Sequence, residues 1–234
     1  MLLPIAYGNT MLDVEVEFSS RASLSLEVNP DLTIRVIAPE KTTLGLIEEQ
    51  VLKKGSWIIK QLDFFQQFLP RTPERQYVSG ETHLYLGRKY VLKIRKADKN
   101  RVKLMGGELR VFVVELGSSE LVKRLLTEWY YNHAKRRFNL VMDDCLTRFK
   151  KYGVERPPLV VKRMSKRWGS CTPKNKVILN PEIIKAPAKC IEYVVVHELC
   201  HLVHANHSSS FYELQSEVMP NWEKWKLKLE KVMV

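Results

Sequence analysis

Cysteine is scarce in this chain and never clustered. Four occur in 234 residues, Cys145, Cys171, Cys190 and Cys200, and no two form a C-x-x-C pair, which excludes a thiolate zinc knuckle. Scattered thiols suit a reducing compartment. Long apolar runs are also missing, and none approaches the ~20 residues that span a bilayer. The opening MLLPIAYGNTMLDVEVEF lacks a basic leader and a sustained apolar stretch, so no secretory signal is expected. These absences predict a cytoplasmic protein with no membrane partner. No fixed-period repeat or low-complexity tract is present.

Acidic residues are in deficit. Asp and Glu number 26 against 38 Lys and Arg, a net charge of +12. Hydrophobic residues at 45% and charged residues at 27% are ordinary for a globular chain. The excess is uneven. Residues 150–176 hold nine basic residues against Glu155 alone, +8 of the total. Such a stretch attracts phosphates, nucleic acid, nucleotides or acidic surfaces, or else forms a solvated face.

The patterning predicts an α+β chain. Leu24, Leu26 and Val28 alternate, Asn29-Pro30-Asp31 turns, and Leu32, Ile34 and Val36 alternate again, which reads as a hairpin closed by Pro39. Helical spacing runs from about Leu44 to Phe68, with Gly55 as a weak point and Pro70 and Pro73 as a linker. Two further hairpins follow over residues 84–113, turning at Gly87 and at Gly106-Gly107. These hairpins are expected to build one antiparallel sheet or small barrel. From Ser119 the period becomes 3.6, and a long helix is predicted to about Phe149. Leu159–Val161 and Lys176–Leu179 read as short strands around a Trp168-Gly169-Ser170-Cys171 turn. Trp222, Trp225 and Leu229 make the apolar stripe of a C-terminal amphipathic helix. The expected division is a β-rich region with one helix over 1–115 and a mainly helical catalytic domain over 116–234. His83 and His133 read as structural.

One segment carries chemistry. Residues 194–211, VVVHELCHLVHANHSSSF, contain H-E-x-x-H as His197-Glu198-Leu199-Cys200-His201. On a helix, positions i and i+4 share a face, so the two imidazoles can hold one zinc ion. Glu198 lies beside them, placed to take a proton from a metal-activated water. A catalytic zinc takes a third protein ligand from across the site. His204, at i+7, continues the same face. His207, at i+10, reaches the metal only if the helix stops after His204, with Asn206 in the left-handed region and Ser210-Phe211-Tyr212-Glu213 as the capping box of the next helix. The spacing favours His207 as ligand and leaves His204 beside the site or facing substrate. Cys200 reads as core.

These residues resemble the YgjP-like metallopeptidase family of zincin-type hydrolases. The resemblance is carried by Lys166-Arg167-Trp168-Gly169-Ser170-Cys171, by residues 191–201, by Asn206-His207-Ser208 with Phe211, and by Met219-Pro220-Asn221-Trp222. It implies a zincin-like fold with His197, His201 and His207 on zinc and Glu198 as general base. The segment is also similar to SprT-like and WLM proteases, which act at DNA–protein crosslinks. The third-histidine spacing equals that of metzincins, but their glycine is replaced by His204 and no Met-turn is evident. The Trp168–Cys171 segment reads either as substrate contact through Arg167, Trp168 and Ser170 or as a structural turn.

The leading expectation is a zinc metallopeptidase acting on peptide or protein, with Val177–Leu179 as an edge strand for an extended substrate. Two alternatives stand beside it. One is a metal-dependent nucleotide pyrophosphatase drawing on the basic stretch. The other is a nucleic-acid-associated protein with a structural zinc, against which the retained Glu198 argues.

Overall fold

A computed structural model describes residues 1–67, 75–165 and 167–233. The class is α+β, and the chain divides into two compact units, Met1–Pro73 and Glu74–Met233.

In the first unit, β1 (Leu2–Tyr7) and β2 (Thr10–Ser19) form a hairpin across Gly8, whose φ of +58° suits the turn. In β2, Leu12, Val14 and Val16 are buried while Met11, Asp13, Glu15 and Glu17 face solvent, so one face seeks cover. β3 (Ser25–Val28) and β4 (Ile34–Pro39) form the expected second hairpin. The hairpins join through a parallel β2–β4 pairing, in the order β1-β2-β4-β3. Their apolar side chains share a core with Ile47 and Val51 of α1 (Leu44–Lys53) and Ile58 of α2 (Gly55–Gln66). The single helix expected here is thus two, broken at Lys54. At the break the Tyr7 ring lies over Gly55, where a Cβ would sit 2.1 Å from it. Phe68, Pro70 and Pro73 lie outside the described residues.

The second unit opens with the same hairpin pattern. β5 (Thr82–Tyr85), β6 (Arg88–Lys96), β7 (Arg101–Met105) and β8 (Glu108–Val113) take the order β5-β6-β8-β7, again with a parallel central pair. The two hairpins thus build one sheet, as expected, but a mixed one in place of the antiparallel sheet or small barrel. Leu92, Leu109, Val111 and Val113 enter one core with α3 (Ser119–Phe149), a continuous helix of 31 residues. The Ser118 hydroxyl caps α3 by accepting from the Leu121 N–H at 3.1 Å. The boundary expected at 115/116 falls inside this unit, between β8 and α3. The hairpin turn is tied to later chain there: Leu86 and Gly87 N–H donate to the Ile184 and Lys185 carbonyls, each at 2.9 Å, and the Tyr130 hydroxyl donates to Leu84 O at 2.8 Å.

β9 (Leu159–Val161), β10 (Gly169–Cys171) and β11 (Val177–Leu179) form a small sheet in the order β10-β11-β9. Two expectations change here. Gly169–Cys171 is a strand, and the turn lies at Thr172–Lys176, with Asn175 at φ +55°. β11 is the central strand, and β10 and β9 are the outer strands.

α4 (Ala188–Cys200), α5 (Ser209–Val218) and α6 (Trp222–Met233) complete the unit. On α6, Leu229 is buried and Trp222 and Trp225 pack against the core, so the stripe is a packing face. Glu192 fastens α4: Arg148 of α3 and Lys189 each approach its carboxylate at 2.8 Å, and Arg148 also donates to Val218 O at 3.2 Å. His83 is buried against Glu81 and His133 stacks on Trp129, both structural as expected. Among the described residues, no helix is long and apolar enough to cross a membrane.

Candidate metal centre

α4 is apolar on almost every side, with Ile191, Val194, Val195, Val196, Leu199 and Cys200 all buried. A polar group on such a helix needs a partner. His197 and His201 stand one turn apart with ring centroids at 5.0 Å. The helix ends at Cys200, sooner than the expected stop after His204, and His201 is its C-cap. Leu202 and Val203 then donate to the carbonyls of Leu199 and Cys200 in a tight turn. Asn206 is not among the residues of positive φ. α5 starts at Ser209 with Ser208 as its N-cap, two residues before the expected cap at Ser210, and the Ser208 N–H turns back to Asn206 O at 2.8 Å.

This early stop swings His207 back over α4. Its Nε2 lies 3.1 Å from His197 Nε2, and its ring centroid lies 4.6 Å from that of His201. One nitrogen from each of His197, His201 and His207 falls within 4.8 Å of the others. His204 does not join them. Its carbonyl accepts from His201 Nδ1 at 3.3 Å, and its ring is not part of the cavity wall.

Each helix histidine has its outer nitrogen engaged. His197 Nδ1 donates to Gln215 Oε1 at 3.0 Å, which leaves Nε2 as a free lone pair facing inward, as the His204 carbonyl does for His201. Gln215 is fully buried, and its Nε2 has no hydrogen-bond partner among the described residues. Burial lowers His197 to about 4, against the raising effect of the Gln215 hydrogen bond, and burial also lowers His201. Both imidazoles are thus neutral, the form a metal requires. Phe211 packs against all three rings, with centroids at 4.7 to 5.1 Å.

The donor set fits a metal ion. Two nitrogens each about 2.0–2.1 Å from one tetrahedral ion stand about 3.3 Å apart, close to the 3.1 Å between His197 and His207. Three neutral imidazoles suit zinc and its transition-metal neighbours, not magnesium or calcium.

Glu198 lies beside them, 4% exposed. Burial raises its carboxyl to about 7, offset by the Arg167 charge and a hydrogen bond from the Cys171 backbone N–H. Its Oε1 comes so near β10 that a Cβ on Gly169 would sit 2.4 Å away. The glycine of the Trp168–Cys171 segment is therefore required by the carboxylate, a third role beside the two expected. Arg167, Trp168 and Ser170 line the same cavity, ≈ 770 Å³ in volume, and Trp168 also packs on the core. Lys166 lies outside the described residues. Sequence reasoning gave no role to Gln215 or Cys171 and no packing role to Phe211. Only the apolar spacing of Phe211 and Leu214 on α5 hinted at a helix packed there.

A family model described as YgjP-like, metallopeptidase domain, matches residues 22–232 of this chain. No curated protein matches it.

Proposed function

The chain belongs to the YgjP-like metallopeptidase family and is a metal-dependent hydrolase of the peptidase type, and from that premise we propose a zinc peptidase with Glu198 as general base. The observation that carries the reading is the convergence of the His197, His201 and His207 nitrogens within 4.8 Å, beside a buried carboxyl in one cavity. Zinc held by these three residues would polarise the scissile carbonyl and acidify water. Glu198 takes a proton from the attacking water as its oxygen bonds to the carbonyl carbon. The same carboxyl returns that proton to the amine nitrogen as the C–N bond breaks. A carboxyl near 7 suits both transfers, because donor and acceptor forms are then both accessible at neutral pH. The Cys171 N–H keeps the carboxylate aimed. An extended substrate pairs with the outer edge of β10, in place of the strand expected at Val177–Leu179. The catalytic residues fall within 116–234, and we assign β5–β8 to the same folding unit as its support.

The test is cleavage of unfolded peptides by purified protein with and without a chelator. Glu198→Gln should abolish cleavage and keep the metal, and activity within a few-fold of the parent would overturn the mechanism. The exposed Arg167 in the cavity favours one second reading, hydrolysis of a phosphoanhydride, so nucleoside triphosphates belong in the same assay.

A further inference from the structure

Two charges of the basic stretch are matched once it is folded. Lys151 pairs with Glu217 of α5, and Arg156 pairs with Asp143 of α3 at 2.6 Å. These charges are spent within the protein. Arg167, Lys174 and Lys176 are exposed and, among the described residues, have no ion-pair partner. Arg167 lines the cavity, and Thr172, Pro173 and Asn175 of the turn carrying the two lysines line it as well. Among the described residues, Glu198 is the only carboxylate on the wall. The cavity lining therefore combines the Arg167 cation, the turn that carries Lys174 and Lys176, and the apolar Leu202 and Val203.

The backbone under Arg167 is fixed. Asn180, 1% exposed, donates its Nδ2 to Met164 O at 2.8 Å and to Arg167 O at 3.0 Å, and its Oδ1 accepts from the Glu182 N–H. A cation on such a frame is held ready, which lowers the ordering cost of binding an anion.

We propose that this cavity selects peptide segments bearing acidic side chains beside the scissile bond, with Arg167 as the contacting residue and Lys174 and Lys176 as outer charges. The inference rests on the peptidase reading. An acidic peptide fits better than a nucleic acid. Glu198 is buried and His197 and His201 are half-buried, a depth that suits a single extended chain better than a duplex. The outer edge of β10 offers main-chain hydrogen bonds, and Leu202 and Val203 offer apolar contact.

The experiment measures binding of three labelled peptides of equal length and shared central sequence to metal-loaded Glu198→Gln protein. The flanks are Asp/Glu, Ser, or Lys. The acidic peptide should bind about tenfold more tightly than the Ser peptide at low salt, and the gap should close at high salt because exposed charges are screened. Arg167→Glu should reverse the order. Lys174→Glu with Lys176→Glu should narrow it by about twofold per lysine and leave the order intact. Arg167→Gln should close the gap without reversing it, and serves should the charge reversal not fold. Lys151→Gln should leave the order unchanged, since that charge is already matched. Equal binding of all three peptides overturns the inference and leaves the peptidase reading intact. Failure to bind any peptide overturns both. Displacement of the acidic peptide by an oligonucleotide at lower concentration than by unlabelled acidic peptide would assign these cations to phosphate polymers and overturn it too.

Discussion

At the residue scale, a methyl group decides the state of Glu198. Gly169→Ala places a carbon 2.4 Å from Oε1, and the buried carboxylate has to leave its position. Peptide cleavage should fall at least about tenfold, one pKa-unit equivalent of misplacement, while metal content by mass spectrometry stays unchanged. Gln215 acts on the other side of the site. Gln215→Met keeps volume but removes the acceptor for His197 Nδ1, so zinc affinity in a competition titration should drop about 10- to 100-fold. Gln215→Glu restores an acceptor and should bind zinc at least as tightly as the parent. The two neighbouring histidines should behave oppositely. His207→Ala removes an inward nitrogen and should empty the site. His204→Ala keeps the carbonyl that His201 uses and should retain close to one ion per chain. The reverse result would overturn the ligand choice.

At the element scale, the active-site helix depends on how α3 grips it. Burial raises the Glu192 carboxyl, but Lys189 and Arg148 outweigh it and hold the group below the usual carboxylate range. Its folded pKa is therefore depressed, so its contribution is present above the unfolded value near 4.5 and is lost as pH falls. Glu192→Gln should cost about 2 kcal/mol in urea unfolding at neutral pH, and the difference from the parent should shrink in acid. The elements themselves were unequally legible. α3 and α4 announce themselves because apolar residues recur at 3.6 over many turns. The β3–β4 hairpin has alternation and a turn cluster. β1 and β2 were not read as strands: LDVEVEF alternates within β2, but β1 has no such period and Gly8 is the one turn signal between them. β10 was not readable, since a three-residue strand containing glycine has no period to detect. Parallel pairing of β2 with β4 and of β6 with β8 is a choice made by packing, which local pattern does not encode. The same divide runs through the site. His197, Glu198 and His201 sit at fixed helical spacing, and His207 follows from the ligand count. Gln215 becomes functional only through the way α5 lies across α4.

At the scale of the whole molecule, two cores invite separate melting. One is built from Ile5, Val14, Val36, Ile47 and Ile58 and their neighbours, the other from residues of β6, β8, α3 and α4 and theirs. Calorimetry should resolve two transitions. Zinc at 100 times its dissociation constant should stabilise only the second unit, by up to about 2.7 kcal/mol, and a chelator should reverse that shift alone. Val36→Ala, in the first core, should lower the other transition and leave the zinc response unchanged. A single transition, or two that both move with zinc, would show that the units unfold together. The three histidines proposed to hold the metal also lie within eleven consecutive residues, 197 to 207. A denatured chain keeps that spacing and competes for the ion, so the measured stabilisation will fall short of the native affinity. Refolding benefits from the same brevity. Closing so short a loop loses little entropy, and a chain renatured with zinc present can capture its metal while α4 is still forming.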